Sequence, residues 1–296
     1  QVAPEEVQRQ LPCTVAALEQ AQLVLLPYNY LVDPAVRQSL DINWGNSVII
    51  FDEGHNIESV AGDAASFDLS ALDIAQCIQE MHSIAQAAAA STSDNANEAD
   101  VTAFTSHFDA PGDADNVLIL KNIFLMIEAR LASEELPTEK DSPGAVFEGR
   151  YIYELMQSWN ITFETHGLMD GLIGKCLEWL SSRDASAIGG GSISRGGREM
   201  GMAKFRKILS RIFSSPETAE QLATNYKMVI HEKQPTGTGF GGRLRKAHRV
   251  LSYWCFSPGV AMHELQALGV RSFIVTSGTL APMVSYTAEL QLPFPI

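Results

Sequence analysis

Apolar and polar positions along the chain change period twice. Val48-Ile49-Ile50-Phe51 is a continuous β-prone run that reads as a buried parallel strand. Ser272–Thr276 reads the same way near the other end. Between them, apolar residues recur at helical spacing over Leu72–Ala88, Val117–Ser133, Tyr151–Phe163, Leu168–Ser181 and Met202–Phe213. Residues 14–26 read as a short helix followed by a strand at Leu23–Leu26. Pro27-Tyr28-Asn29-Tyr30-Leu31 then turns out of that strand, and Asp33-Pro34 opens a helix over Ala35–Leu40. Tyr226–His231 and Val250–Phe256 read as further strands. Ala87–Asp100 and Ser133–Gly149 are polar and of low complexity, so loops are expected there. Gly-rich connections are expected at 189–197 and 236–242.

Strand-helix-strand material thus sits at both ends, with a helical block of about 150 residues between. No internal repeat interrupts it. The expected fold class is α/β: a partial parallel-sheet domain interrupted by a large, mainly helical insertion. The boundaries fall at 1–68, 69–224 and 225–296, because long insertions at surface loops are tolerated thermodynamically.

Composition adds limits. The 296 residues are 46% hydrophobic and 19% charged, which is ordinary for a globular chain. The net charge of −14 argues against coating nucleic acid by bulk attraction. Positive charge is concentrated, however, since twelve of the 21 Lys and Arg lie between Arg195 and Arg249. Four cysteines without close pairing (Cys13, Cys77, Cys176, Cys255) suit an intracellular protein better than a disulfide scaffold. No apolar run approaches a membrane span. The chain opens with Gln1 and closes on Pro293-Phe294-Pro295-Ile296, so it is expected to be a piece of a longer protein.

The chemistry begins where the first strand ends, in Asp52-Glu53-Gly54-His55. Open α/β sheets place ligands at the carboxyl ends of their strands. An acidic pair there is placed to serve a nucleotide-driven motor: Asp52 holds Mg²⁺ through water, and Glu53 orients or deprotonates the water attacking a γ-phosphate. His55 is placed to sense that site and pass its state to another element. The competing reading is a strand ending in a solvated acidic turn. No zinc-ligand spacing and no Ser/His/Asp arrangement stands out.

Three segments together resemble one family: Leu26-Pro27-Tyr28-Asn29-Tyr30-Leu31-Val32-Asp33, Val48–Glu58 and Val275-Thr276-Ser277-Gly278-Thr279-Leu280-Ala281-Pro282. They are similar to the XPD-type branch of superfamily 2 DNA helicases, whose RecA-like ATPase lobe is interrupted by a helical Arch domain. Leu251–Gly259, Gln291–Pro295, Gly149–Leu155 and Ile161–Thr165 resemble the telomere-elongation regulator group within that branch. The resemblance implies that 1–68 is the first part of the ATP-binding lobe with a Walker B (DEAH-type) box. It implies that 69–224 is the Arch-like insertion, and 225–296 the return segment with helicase motif III. It further implies a nuclear, ATP- and Mg²⁺-dependent 5′→3′ DNA helicase with a 4Fe–4S cluster, serving DNA repair, recombination and telomere maintenance. Its implied partners are single-stranded DNA, branched DNA intermediates, and replication or telomere proteins.

On the same footing, Thr276, Ser277, Gly278 and Thr279 match motif III, which couples hydrolysis to DNA movement. Taken alone they are equally a strand-to-helix cap. The departures matter too. No Gly-Lys is followed by Ser or Thr, so the phosphate loop of the family is missing from this sequence. The isolated chain is therefore expected to turn over no ATP. Gly54 stands where the family usually has Ala. Only Cys13 lies in the cluster region, as a last ligand or as an ordinary thiol. The basic groups Arg195, Arg198, Lys204, Arg206, Lys207 and Arg211, interleaved with Phe205 and Phe213, and Arg243, Arg245, Lys246 and Arg249, are candidate single-strand contacts or solvated faces. Tyr28 and Tyr30 divide between the DNA path and the core. The reading from another class is a non-catalytic DNA- or protein-binding module derived from a helicase.

Overall fold

The structure is a computed structural model. It describes residues 21–40, 42–91, 106–108, 112–137, 142–187, 199–213, 216–234, 247–280 and 282–292. The chain forms two compact units: residues 1–67, 225–227 and 253–296, and residues 68–224 and 228–252.

In the first unit, helices α1 (Tyr28–Val32) and α2 (Pro34–Ser39) precede strand β1 (Val48–Phe51). A 3₁₀ turn at Gly54–Asn56 leads into α3 (Ile57–Ala65). The Pro27-to-Leu31 stretch, expected as a turn, is helical, with Pro27 supplying a fixed extended entry at φ −63° and ψ 152°. The expected strand at Leu23–Leu26 has no ladder among the described residues, and Leu23 and Leu25 are exposed.

Ile49 and Phe51 of β1 point into a core with Leu31, Val32, Ile57, Ala61, Met262, Leu265 and Leu290. Phe51 anchors it, with the Tyr28 ring edge-on at 5.7 Å and Phe273 stacked at 6.5 Å. The alternate residues Val48 and Ile50 are 49% and 57% exposed. The strand is therefore covered on one face among the described residues, where burial on both was expected.

The second unit is built on four long helices: α4 (Ala71–Ser91), α5 (Asp113–Ser133), α7 (His166–Ala187) and α8 (Gly201–Ile212), with the shorter α6 (Tyr151–Ser158) and α9 (Pro216–Asn225). Ser70 and Asp73 start α4 with a reciprocal cap. The Ser70 amide donates to Asp73 Oδ2 at 2.9 Å, and the Asp73 amide to Ser70 Oγ at 3.1 Å. Met202, Phe205, Ile208, Leu209 and Ile212 form the buried stripe of α8, and Phe205 meets Phe124 of α5 edge-on at 5.1 Å.

The amino terminus of α8 is held by a distant residue. The buried Glu80 carboxylate of α4 accepts from the Gly201 and Met202 amides at 2.9 and 3.0 Å. A Cβ at Gly201 would stand 2.7 Å from the Asp73 carbonyl, which keeps this approach for glycine.

Against the expectation of a loop at Ser133–Gly149, strand β3 (Ala145–Glu148) forms there. It edges a four-stranded sheet of order β2-β5-β4-β3, with β2 at Phe67–Ser70, β4 at Tyr226–Lys233 and β5 at His248–Cys255. The first unit resumes with α10 (Gly259–Ala267), β6 (Ser272–Val275) and α11 (Met283–Leu290). No helix among the described residues is long and apolar enough to cross a membrane.

Candidate active site

Strands β1 and β6 pair in parallel, with Val48 opposite Ser272 and Phe51 opposite Val275. Parallel pairing sends both chains off the same edge, so Asp52-Glu53 and the Thr276–Thr279 run emerge side by side. The backbone continues the pairing past the strands. The Thr276 amide donates to the Phe51 carbonyl, and the Gly54 amide to the Thr276 carbonyl, both at 2.8 Å. Glu53 adopts the left-handed conformation (φ 52°, ψ 50°), which a residue with a Cβ takes at a cost of about 1–2 kcal/mol. Such conformations persist where neighbours hold them, and they gather at functional sites.

The side chains cross-link the two segments as well. Thr276 Oγ1 donates to Asp52 Oδ1 at 3.0 Å. His55 Nδ1 lies 2.9 Å from Ser277 Oγ and 3.3 Å from Glu53 Oε2. Ser277 Oγ also accepts from the Thr279 amide at 3.3 Å, a bond within the turn and not the helix cap of the alternative reading, since the next helix opens only at Met283 after Pro282. A Cβ at Gly278 would meet nothing within 4 Å. Asp52 and Glu53 are exposed, as ligand-facing carboxylates must be.

Two tyrosines flank this turn. Tyr286 of α11 donates its hydroxyl to the Gly54 carbonyl at 2.8 Å. Nothing in the sequence singled out Tyr286, because its partner is a backbone atom 232 residues earlier; only its place just beyond the Thr-Ser-Gly-Thr run hinted at the site. The Tyr28 hydroxyl is buried and has no hydrogen-bond partner among the described residues. Burial, then the charges of Asp52 and Glu53, push its pKa up. Tyr28 packs edge-on against Phe51, the residue just before Asp52. Tyr30 is half-buried on the same helix.

The residues fit a magnesium–nucleotide group in one respect: Asp52 is a hard oxygen donor oriented by Thr276. Mg²⁺ is commonly held by one or two carboxylates, with phosphates and water completing its shell. The described cysteines do not fit an iron–sulfur cluster. Cys77 and Cys176 are buried in α4 and α7, where burial pushes the Cys176 thiol up to about 12 and raises Cys77 as well. Cys255 is buried in β5. No group of three or more metal-holding side chains occurs among the described residues.

Three basic candidates on α8 are engaged in ion pairs. Lys204 Nζ lies 2.6 Å from Asp73, Lys207 Nζ 2.7 Å from Glu199, and Arg206 grips Asp170 with two bonds of 2.6 and 2.7 Å. Phe205 and Phe213 are buried, so neither is a stacking platform. Cys13, Arg195, Arg198, Arg243, Arg245 and Lys246 lie outside the described residues.

A family model described as "RTEL1 helicase, ARCH domain" matches residues 76–258, and one described as DEAD_2 matches residues 13–91. The regulator of telomere elongation helicase 1 homolog of Oryza sativa subsp. japonica is 37% identical over 276 residues, covering 93% of this chain and 26% of that protein. The corresponding Arabidopsis thaliana homolog is 34% identical, with 93% and 24% covered. The Homo sapiens regulator of telomere elongation helicase 1 is 34% identical, with 94% and 23% covered. The chain therefore spans about a quarter of the length of these relatives. A solved structure named XPD_Helicase aligns over 94% of this chain and 36% of its own at 13% identity, with a TM-score of 0.39. The Arch-domain match covers more than half of the residues, and an acidic tetrapeptide stands beside a Thr-Ser-Gly-Thr run: the chain belongs to the family described as RTEL1 helicase, Arch domain.

Proposed function

We propose that this chain is part of an ATP-driven DNA helicase, in which the first unit contributes to nucleotide hydrolysis and the second is the Arch. The observation that carries this reading is the pair of side-chain bridges from Thr276 to Asp52 and from Ser277 to His55. They join a metal-holding residue and a sensor to the segment following a second parallel strand. A shift of that segment is felt at the carboxylates, which is what coupling hydrolysis to movement requires.

In this reading Asp52 holds Mg²⁺ through water, with Thr276 fixing one carboxylate oxygen. Magnesium, when bound, neutralises charge on the phosphate oxygens. Glu53 orients the attacking water and accepts its proton, and His55, hydrogen-bonded to Ser277, relays the state of the site. Tyr28 borders the same edge. Movement 5′→3′ on single-stranded DNA, action on branched and telomeric intermediates with replication or telomere proteins, nuclear location and a 4Fe–4S cluster are proposed for the longer protein. Lys204, Arg206 and Lys207 contact DNA there only by exchanging their carboxylate partners for phosphates. The isolated chain lacks a Gly-Lys-Ser/Thr loop and is proposed to turn over no ATP.

The test is Glu53→Gln in the full-length protein. ATP binding should persist, while DNA-stimulated hydrolysis and unwinding fall by at least about 100-fold, the scale of general-base loss. Hydrolysis at the unmodified rate would overturn the reading.

A further inference from the structure

The Gly54 peptide is held from both sides. Its amide donates to the Thr276 carbonyl, and its carbonyl accepts from the Tyr286 hydroxyl, each at 2.8 Å. Gly54 directly follows Glu53, whose left-handed backbone would relax without such restraint. The approach is close. A Cβ on Gly54 would lie 3.1 Å from the Tyr286 hydroxyl and 2.1 Å from Val275 Cγ1, so the hydroxyl reaches this carbonyl beside a residue with no side chain.

Tyr286 is also kept as a donor. Burial, followed by Tyr28, Glu289 and Glu58, pushes its phenol up to about 12.

We infer that Tyr286 is a positioning residue: through the Gly54 carbonyl it locks the turn that presents the Glu53 carboxylate. This rests on the reading of Glu53 as the group that orients water. It adds a third side-chain link between the acidic turn and the chain following β6, made by α11 and not by the Thr-Ser-Gly-Thr run. A displacement of α11 would loosen the turn while leaving the Asp52–Thr276 and His55–Ser277 links to be broken separately.

Tyr286→Phe keeps the ring and removes only the hydroxyl. In the full-length protein, kcat for DNA-stimulated ATP hydrolysis should fall about 3- to 10-fold, the scale of one lost neutral hydrogen bond. KM for ATP should change less than about 2-fold, because the lost restraint acts on the reacting geometry and not on uniform binding. In the present chain, hydrogen exchange at the Gly54 amide should quicken by a similar factor, with the melting temperature lowered by no more than the few degrees (about 2–4 °C) that one lost hydrogen bond costs. An unchanged kcat and Gly54 exchange in Tyr286→Phe, beside an inactive Glu53→Gln, would overturn the inference alone. A raised KM with kcat intact, or a melting temperature lowered by more than about 8 °C with kcat intact, would assign Tyr286 to binding or packing and overturn it equally. Hydrolysis that survives Glu53→Gln would remove the reading beneath it.

Discussion

Replacing Gly54 by alanine should destabilise this chain. The new Cβ would lie 2.1 Å from Val275 Cγ1, whereas carbons pack at about 3.5–4.0 Å. A separation of about 1.5 Å must therefore be found. Rotating Val275 off its rotamer costs about 0.5–1.5 kcal/mol. Parting the strands strains the Gly54-to-Thr276 and Thr276-to-Phe51 bonds instead. Overpacking of this kind typically costs about 1–3 kcal/mol. Removing glycine's freedom in the unfolded chain returns about 0.4–1 kcal/mol. The net expectation is a loss of about 1–2 kcal/mol by urea denaturation. If the Val275 methyl is the obstacle, Val275→Ala should absorb it. The double variant should then be at least about 1 kcal/mol more stable than the sum of the single changes predicts. Additivity within about 0.5 kcal/mol would refute the reasoning, since it would mean that the two side chains never compete for space.

Two further outcomes test the second unit and its packing. Glu80→Ala should cost about 2–4 kcal/mol by denaturant titration, because it strands two buried amides at the start of α8, whereas Glu80→Gln should cost less by keeping one acceptor. Stability should also fall in acid. Burial pushes the Asp73 carboxyl up, but hydrogen bonds from Lys204 and Ser70 outweigh it and hold the carboxyl below its ordinary value. The Arg206 hydrogen bond lowers Asp170. Depressed carboxyl groups contribute stability above the unfolded value of about 3.9, and lose it as pH falls through the folded value. Thermal melts from pH 6 to 2.5 should show that loss, and Asp73→Asn should flatten it.

The strongly periodic parts of the sequence were readable. Leu72–Ala88 and Val117–Ser133 lie within α4 and α5, Met202–Phe213 coincides with α8 to within a residue, and the runs at 48–51 and 272–276 became paired strands. What escaped was structure made by pairing at a distance. Ala145–Glu148 is a strand because β4 lies beside it, and four residues carry too little alternation to announce that. Leu23–Leu26 has the residues of a strand but no ladder among the described residues, and Tyr28–Val32 has those of a turn but forms a helix against Phe51. At the site, Asp52, Glu53 and His55 were visible because a hydrophobic run ends in them. Tyr286 was not, because a tyrosine bonding to a distant carbonyl leaves no spacing to read. The basic stretch on α8 promised anion binding from charge alone, while the fold supplied Asp73, Asp170 and Glu199 as partners that no local pattern foretold.

The carboxylate of Glu80 sets where α8 begins, independently of the residues that lead into it. The start of one long helix is thereby tied to a carboxylate 121 residues earlier in the chain. A change confined to α4 is thus expected to be felt at the first turn of α8, where no neighbouring residue would announce it.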